Sequence, residues 1–185
     1  MPNRWEMPPT YLQSGDPEAE NSSTLSYPGL LGARFTVIRP SRSAASGEDG
    51  RSKSYQLIKT DSTMTTAPYR GAVAWWSDKT QYLVTTSPTA LGRGRIAGVF
   101  KNAIGLGNFG CVQTHGPATT KIVDAPVAAI TANSGQFVIP SATAGKADVL
   151  AAGTAPTYPP LGVISGALNL GDNTVVVDLD VPETT

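Results

Sequence analysis

The chain has 185 residues, a formal net charge of zero and one cysteine, Cys111. This length suits one domain with an appendage, and a lone cysteine excludes an intrachain disulfide framework. No stretch approaches the roughly 18 apolar residues of a membrane span, and residues 1–10 lack the apolar core of a signal peptide. We therefore expect a soluble protein made in a reducing cytoplasm.

Residues 1–33 differ in composition from the rest of the chain. They hold five prolines and three glycines, so neither a helical nor an alternating period survives. Large apolar groups are spaced along this segment, which predicts an extended arm that orders against a partner rather than a floppy tail. Fully extended, 33 residues could reach roughly 110 Å. We expect the anchoring side chains to be buried against another subunit rather than against residues 34–185: Trp5, Met7, Tyr11, Leu12, Tyr27, Leu30 and Leu31.

From residue 34 onward, short β-type runs alternate with turn residues. Two hairpins are predicted, one pairing 34–39 with 53–60 and one pairing 71–76 with 81–86. Further strands are predicted at 95–101, 109–115, 119–123, 136–139, 162–168 and 174–179. Nine to eleven short strands indicate an all-β barrel or sandwich. Little helix is expected, with one or two turns at most at 128–132 and 147–152.

An internal echo relates residues 98–108 to residues 162–172 at an offset of 64 positions. The shared form is G-V-[FI]-x-x-A-[IL]-x-L-G-[ND]. It predicts two hairpins whose Gly-Asn or Gly-Asp turns supply a positive φ. We divide the chain into an arm (1–33) and one β domain (34–185). The domain comprises a basic hairpin region (34–93) and a pseudo-repeated hairpin core (94–185).

The sequence offers weak signals for chemistry. Residues 105–110 match GxGxxG, but the residues that follow cannot open a helix, so the match predicts a turn. Cys111 and His115, four apart on a predicted strand, would lie roughly 13 Å from each other, too far for proton transfer. Cys111 is expected to be buried and His115 to lie in a turn. One cysteine and one histidine also disfavour a transition-metal site. We expect no catalytic, cofactor-binding or metal residues.

Charge and tryptophan placement suggest contacts with other proteins. Residues 34–101 carry eleven Lys and Arg against four acids, while residues 102–185 carry two against six. Without a basic run, direct nucleic-acid binding is disfavoured, and charge complementarity between subunits explains the split as well. Trp75 and Trp76 are adjacent on a predicted strand and should point to opposite faces. One should fill the core, and the other is a possible interface residue.

Three segments between residues 95 and 179 carry a family resemblance: IAGVFKNAIGLGNFGCVQTHGPAT, GQFVIPSATAGKADVL and GTAPTYPPLGVISGALNLGDNTVVVDLDV. In this order they resemble capsid decoration, or cement, proteins of tailed bacteriophages. The resemblance implies a non-enzymatic, all-β virion protein on the outer surface of the head, where it would clamp neighbouring capsomers. Its implied partners are the major capsid protein and other copies of itself, with a trimer favoured over a dimer.

Two alternatives stay open. The chain could be another virion component, such as a tail or fibre-base part, which would be present in far fewer copies per particle. It could also be a carbohydrate-binding module, because three tryptophans could form a flat apolar platform for sugars. No pair of acids at a convincing spacing supports glycosidase chemistry.

Overall fold

The computed structural model describes residues 4–5, 20–24, 28–38, 52–88, 96–126, 128–132, 134–157 and 159–181. These residues form an almost purely β structure with a single 3-10 turn, Pro28–Leu30. Ten strands have three or more residues and two have only two, which confirms the all-β prediction. The strands are β1 (Arg4–Trp5), β2 (Asn21–Ser22), β3 (Arg34–Ile38), β4 (Ser52–Thr60), β5 (Val73–Asp78), β6 (Leu83–Thr85), β7 (Ile96–Phe100), β8 (Phe109–Lys121), β9 (Phe137–Pro140), β10 (Ala147–Val149), β11 (Gly162–Asn169) and β12 (Thr174–Asp180).

Five of these strands close into a small barrel. β4 pairs with β6, β6 with β5, β5 with β7, β7 with β8, and β8 returns to β4. The β4–β6 pairing is parallel and the other four are antiparallel. Closure leaves the barrel without free edges, and its interior is filled by apolar side chains. That interior includes Ile58, Trp76, Val84, Phe100 and Val112.

A second ring of strands grows from the same β8. β8 pairs with β12, β12 with β11, β11 with β9, and β9 with β10. A parallel bridge between Ile122 and Ala147 then joins β10 to the end of β8. The inner face of this ring packs on the outer wall of the barrel, where Val73 and Trp75 of β5 contribute to the shared core. The two rings therefore form one body with β8 as their common wall.

Strand β8 corrects a prediction about residues 109–123. The sequence suggested two strands with a turn at His115, but one continuous strand runs from Phe109 to Lys121. Its first half pairs with β4 and its second half with β12. Thr114 forms a bulge opposite β4, and Gly116 has a φ of +84°, which a glycine adopts without strain. Gly-Pro therefore redirects the strand instead of ending it.

Two predicted helical turns are also wrong. Residues 147–149 form β10, and residues 128–132 contain no helix. Gln136 explains the second case, because its side chain organises the preceding loop. Its Oε1 accepts a hydrogen bond from the Thr131 N–H at 2.9 Å, and its Nε2 donates to the Ala129 carbonyl at 3.0 Å. A side chain from outside the segment thus satisfies backbone groups that a helix would pair internally.

Both predicted hairpins in the first half are confirmed, since β3 pairs antiparallel with β4 and β5 with β6. The echoed segments also form hairpins, β7–β8 and β11–β12. A β-carbon on Gly98 would lie 2.5 Å from the Gln113 carbonyl oxygen, and one on Gly162 would lie 2.0 Å from the Asp178 oxygen. The first glycine of each echo therefore sits where the partner strand leaves no room for a β-carbon. The positive φ occurs at Gly107 in the first turn, but at Asn173 in the second.

Candidate interaction surfaces

The N-terminal segment touches its own domain at several points. β1 pairs with β3, placing Trp5 opposite Val37, and β2 pairs with the start of β8. The Asn21 side-chain oxygen accepts hydrogen bonds from the Gly105 N–H at 3.1 Å and from Asn108 Nδ2 at 2.9 Å. Glu20 is fully buried. Residues 20–24 are therefore attached to the domain rather than extended away from it.

The predicted arm anchors have mixed outcomes. Leu30 is half-buried and packs against Phe35, Tyr55 and Cys111 of its own domain, so its assignment to another subunit is wrong. The reason is that β3 and the turn before it cover the outer face of β4 and β8. Leu30 lies in that turn and packs against the apolar side chains of this face. Leu31 is half-buried, and Trp5 is described by its backbone pairing alone. Met7, Tyr11, Leu12 and Tyr27 lie outside the described residues.

Trp75 and Trp76 point to opposite faces as predicted, but both are buried. Trp75 is 0% exposed in the core between the rings, and Trp76 is 4% exposed inside the barrel beside Tyr82. The prediction that one of them lies at an interface is wrong, because β5 is covered on both faces and neither side chain reaches the surface of the chain. Neither side chain offers a platform for a sugar.

Cys111 and His115 lie in different surroundings. Cys111 is 1% exposed beneath β3, as predicted, whereas the His115 side chain is 57% exposed. His115 Nδ1 lies 3.7 Å from Oδ1 of Asp180, an ion pair only when the imidazole is protonated. His115 and Asp180 border an open groove of about 350 Å³ that Phe137 and Val163 also line. The groove places the His115 imidazole and the carboxylates of Asp178 and Asp180 beside apolar side chains.

A polar cluster closes the second ring. Asp124 Oδ1 accepts hydrogen bonds from Lys146 Nζ and from Asn173 Nδ2, both at 2.9 Å. The Lys146 hydrogen bond and charge hold the pKa of the Asp124 carboxyl below its usual value. Lys121 Nζ donates to the carbonyl oxygen of Asp172. These contacts join the end of β8 to the β11–β12 turn and to the start of β10, so their role here is structural.

The most exposed apolar side chains were not singled out by sequence reasoning. Among the described residues, three large hydrophobic side chains are exposed: Leu106 at 46%, Phe137 at 37% and Leu170 at 78%. Leu106 lies in the β7–β8 turn and Leu170 in the β11–β12 turn. Both belong to the echoed segments, so the repeat itself was a signal that could have pointed to them.

Neither metal sites nor membrane spans are found in the described part of the chain. Its His, Cys, Asp and Glu side chains form no group of three that could hold a metal ion. Its helical content includes no segment long and apolar enough to cross a membrane.

The fold defines an all-β protein in which a closed five-stranded barrel and a second ring share one long strand. Comparison with known proteins adds no relative: no family model, no curated protein and no solved structure matches this chain.

Proposed function

We propose that this chain is a structural virion protein that binds the outer surface of a phage head and clamps neighbouring capsomers. The observation that carries the proposal is the ordered set of decoration-protein motifs between residues 95 and 179. It is supported by where those motifs fall, because they supply β7 and β8, then β9 and β10, and then β11 and β12. The resemblance therefore covers six strands that are neighbours in the sheet rather than scattered turns.

The proposed mechanism is multivalent, non-catalytic binding. The major capsid protein is the partner, and other copies of the chain assemble beside it, as a trimer or a dimer. Several weak contacts joined through one rigid body act together, because the first contact raises the effective concentration of the next. A closed barrel packed against a second ring is suited to this role, since it holds distant surface points at fixed separations.

The direct test is binding to heads that lack the protein, taken from the phage whose genome carries the gene. Purified full-length chain is mixed with these heads, and the bound copies per particle are counted. Saturation at hundreds of copies, with heads that resist higher temperature, is the expected result. Saturation at tens of copies would instead indicate a tail or fibre-base component. Absence of binding would refute the proposal.

The contribution of the N-terminal segment needs a truncation that spares the domain. Deleting residues 2–33 would remove the buried Glu20 and the packed Leu30, and would therefore destabilise the fold itself. Deleting residues 2–19 leaves both in place, although it also removes the two-residue strand β1 that pairs with the end of β3. We expect this shorter truncation to weaken head binding while the melting temperature stays within a few degrees of wild type. Unchanged affinity would show that residues 2–19 do not contribute to the clamp.

The carbohydrate-binding alternative has lost its main support. Two of the three tryptophans in the sequence are buried in the core. Glycan binding that depended on Trp75 or Trp76 would contradict this assignment, since neither ring can reach a sugar without unfolding.

A further inference from the structure

Two exposed leucines occupy the same position of the internal repeat. Leu106 and Leu170 are 64 residues apart, the offset that relates the two echoed segments. They are also two of the three exposed large hydrophobic side chains in the part of the chain that the structure describes. Exposed leucines occur singly on most proteins and need no explanation. Their recurrence at one repeat position does need one.

The second residue before each leucine is apolar and packs against a core cluster. Two positions before the exposed leucine, Ile104 is buried in the barrel and Leu168 packs against the other core cluster. Each turn therefore already has an apolar side chain that anchors it to the core. The outward leucines contribute less to that anchoring, since Leu106 is 46% exposed and Leu170, at 78%, only borders a small pocket that Leu168 also lines. Anchoring the turns therefore does not by itself require a leucine at this repeat position.

The two turns lie at opposite ends of strand β8. The Leu106 turn leads directly into Phe109, the first residue of β8. The Leu170 turn precedes Thr174, which pairs with Lys121 at the last residue of β8. Twelve residue steps at 3.3 Å place the two ends at most about 40 Å apart, and the kink at Gly116 shortens this span. One molecule therefore presents two similar apolar tips at the two ends of one strand.

We propose that the Leu106 and Leu170 turns are paired docking tips, each of which inserts its leucine into the same apolar socket on one of two adjacent, identical shell subunits. This inference rests on the proposed function and specifies how the clamp is made. Two similar tips on one chain match a partner that presents the same site repeatedly, as a shell built from one protein does. A single non-repeating partner would give no reason for the tips to resemble each other.

The test uses full-length chains carrying Leu106→Ser, Leu170→Ser or both substitutions, with Gln81→Ser as the control. Gln81 is exposed on a turn that lies outside the repeat and outside the groove. Melting temperatures within a few degrees of wild type should confirm that all variants fold. Head binding is then measured by dissociation rate, and head stability by the temperature at which saturated heads release DNA.

If both tips bridge neighbours, each single variant should dissociate faster by a similar factor, on the order of 100-fold, because bivalent binding becomes monovalent. The double variant should not bind measurably, and the control should match wild type. At saturating concentration the single variants should still occupy heads without raising their release temperature. Occupancy without stabilisation is the signature of a lost bridge.

Three results would overturn the inference. The double variant could bind like wild type, which would leave the proposed function intact but exclude the two tips from the contact with the head. Only one leucine could matter, which excludes paired docking. The substitutions could change the oligomeric state of the free protein in sedimentation, which would assign the tips to self-association. If the wild-type chain fails to bind heads at all, the proposed function and this inference are both refuted.

Discussion

Gln113 is the residue whose replacement tests the architecture most directly. It is fully buried in β8, one residue before the bulge where the strand changes partner from β4 to β12. Its Nε2 donates to three carbonyl oxygens, those of His115 at 3.0 Å, Gly116 at 3.1 Å and Pro117 at 3.0 Å. An irregular strand has carbonyl groups that point away from the ladder. One amide side chain satisfies three of them at the kink.

Replacing Gln113 with leucine keeps the approximate volume and removes the donor. A hydrogen bond contributes about 1 kcal/mol net, and a buried group left unpaired costs about 1–3 kcal/mol. Two amide hydrogens serve the three carbonyls. Gln113 Oε1 has no hydrogen-bond partner, so its removal offsets part of this cost. The expected loss in free energy of unfolding is therefore about 1–3 kcal/mol. For a chain of this size that lowers the melting temperature by roughly 2–12 °C.

The assay is thermal unfolding followed by circular dichroism, with Gln81→Leu as the control. Gln81 is exposed, so its replacement should change stability by no more than about 0.5 kcal/mol. Gln113→Glu adds a second comparison. A buried carboxylate facing carbonyl oxygens should have a raised pKa, so this variant should be more stable near pH 4 than near pH 7, once the ordinary pH dependence of wild type is subtracted. A Gln113→Leu melting temperature within about 1 °C of wild type would show that the kink does not depend on these hydrogen bonds.

Three further predictions concern stability. The pKa of Asp61 is lowered chiefly by the backbone N–H of Thr63. Its contribution to stability therefore exists above about pH 4 and is lost as pH falls through the folded-state pKa. The melting temperature of Asp61→Asn should fall less than that of wild type between about pH 5 and 2. Gly162→Ala forces a β-carbon to 2.0 Å from a cross-strand carbonyl oxygen and should cost more than about 2 kcal/mol in denaturant unfolding, whereas Gly29→Ala, with no neighbour within 4 Å, should be nearly neutral. Leu30→Ala should cost about 1–2 kcal/mol because Leu30 packs on its own domain, and an unchanged unfolding midpoint would contradict that packing.

Strands and hairpins were readable from the sequence because their signals are local. Alternating apolar runs and the turn residues between them predicted the β3–β4 and β5–β6 pairs, both of which form. The continuity of β8 was not readable in this way. His-Gly-Pro is typical of a turn, and it becomes part of a strand here because Gln113 satisfies the displaced carbonyl groups. That interaction exists only after β4 and β12 have taken their places.

What covers an apolar side chain is also a question of tertiary structure. The sequence showed that Leu30 and Trp76 are apolar and large, which favours burial against something. It could not distinguish a partner from the chain's own sheet, and both side chains contact their own domain. β5 illustrates the difficulty, since the barrel interior covers one of its faces and the second ring covers the other.

The internal repeat distinguishes side chains that are needed for folding from candidates for recognition more clearly than any single residue does. Ile104 and Leu168 match in the repeat and both face a core, so packing explains why they match. Leu106 and Leu170 match as well, yet both face outward, at 46% and 78% exposure. Packing within the chain explains this second likeness less well than the first, because it leaves a large part of both side chains in water. A partner that presents the same apolar site to both ends of β8 would explain it. The two turns, rather than the buried tryptophans, are therefore where contact with a repeated shell should first be sought.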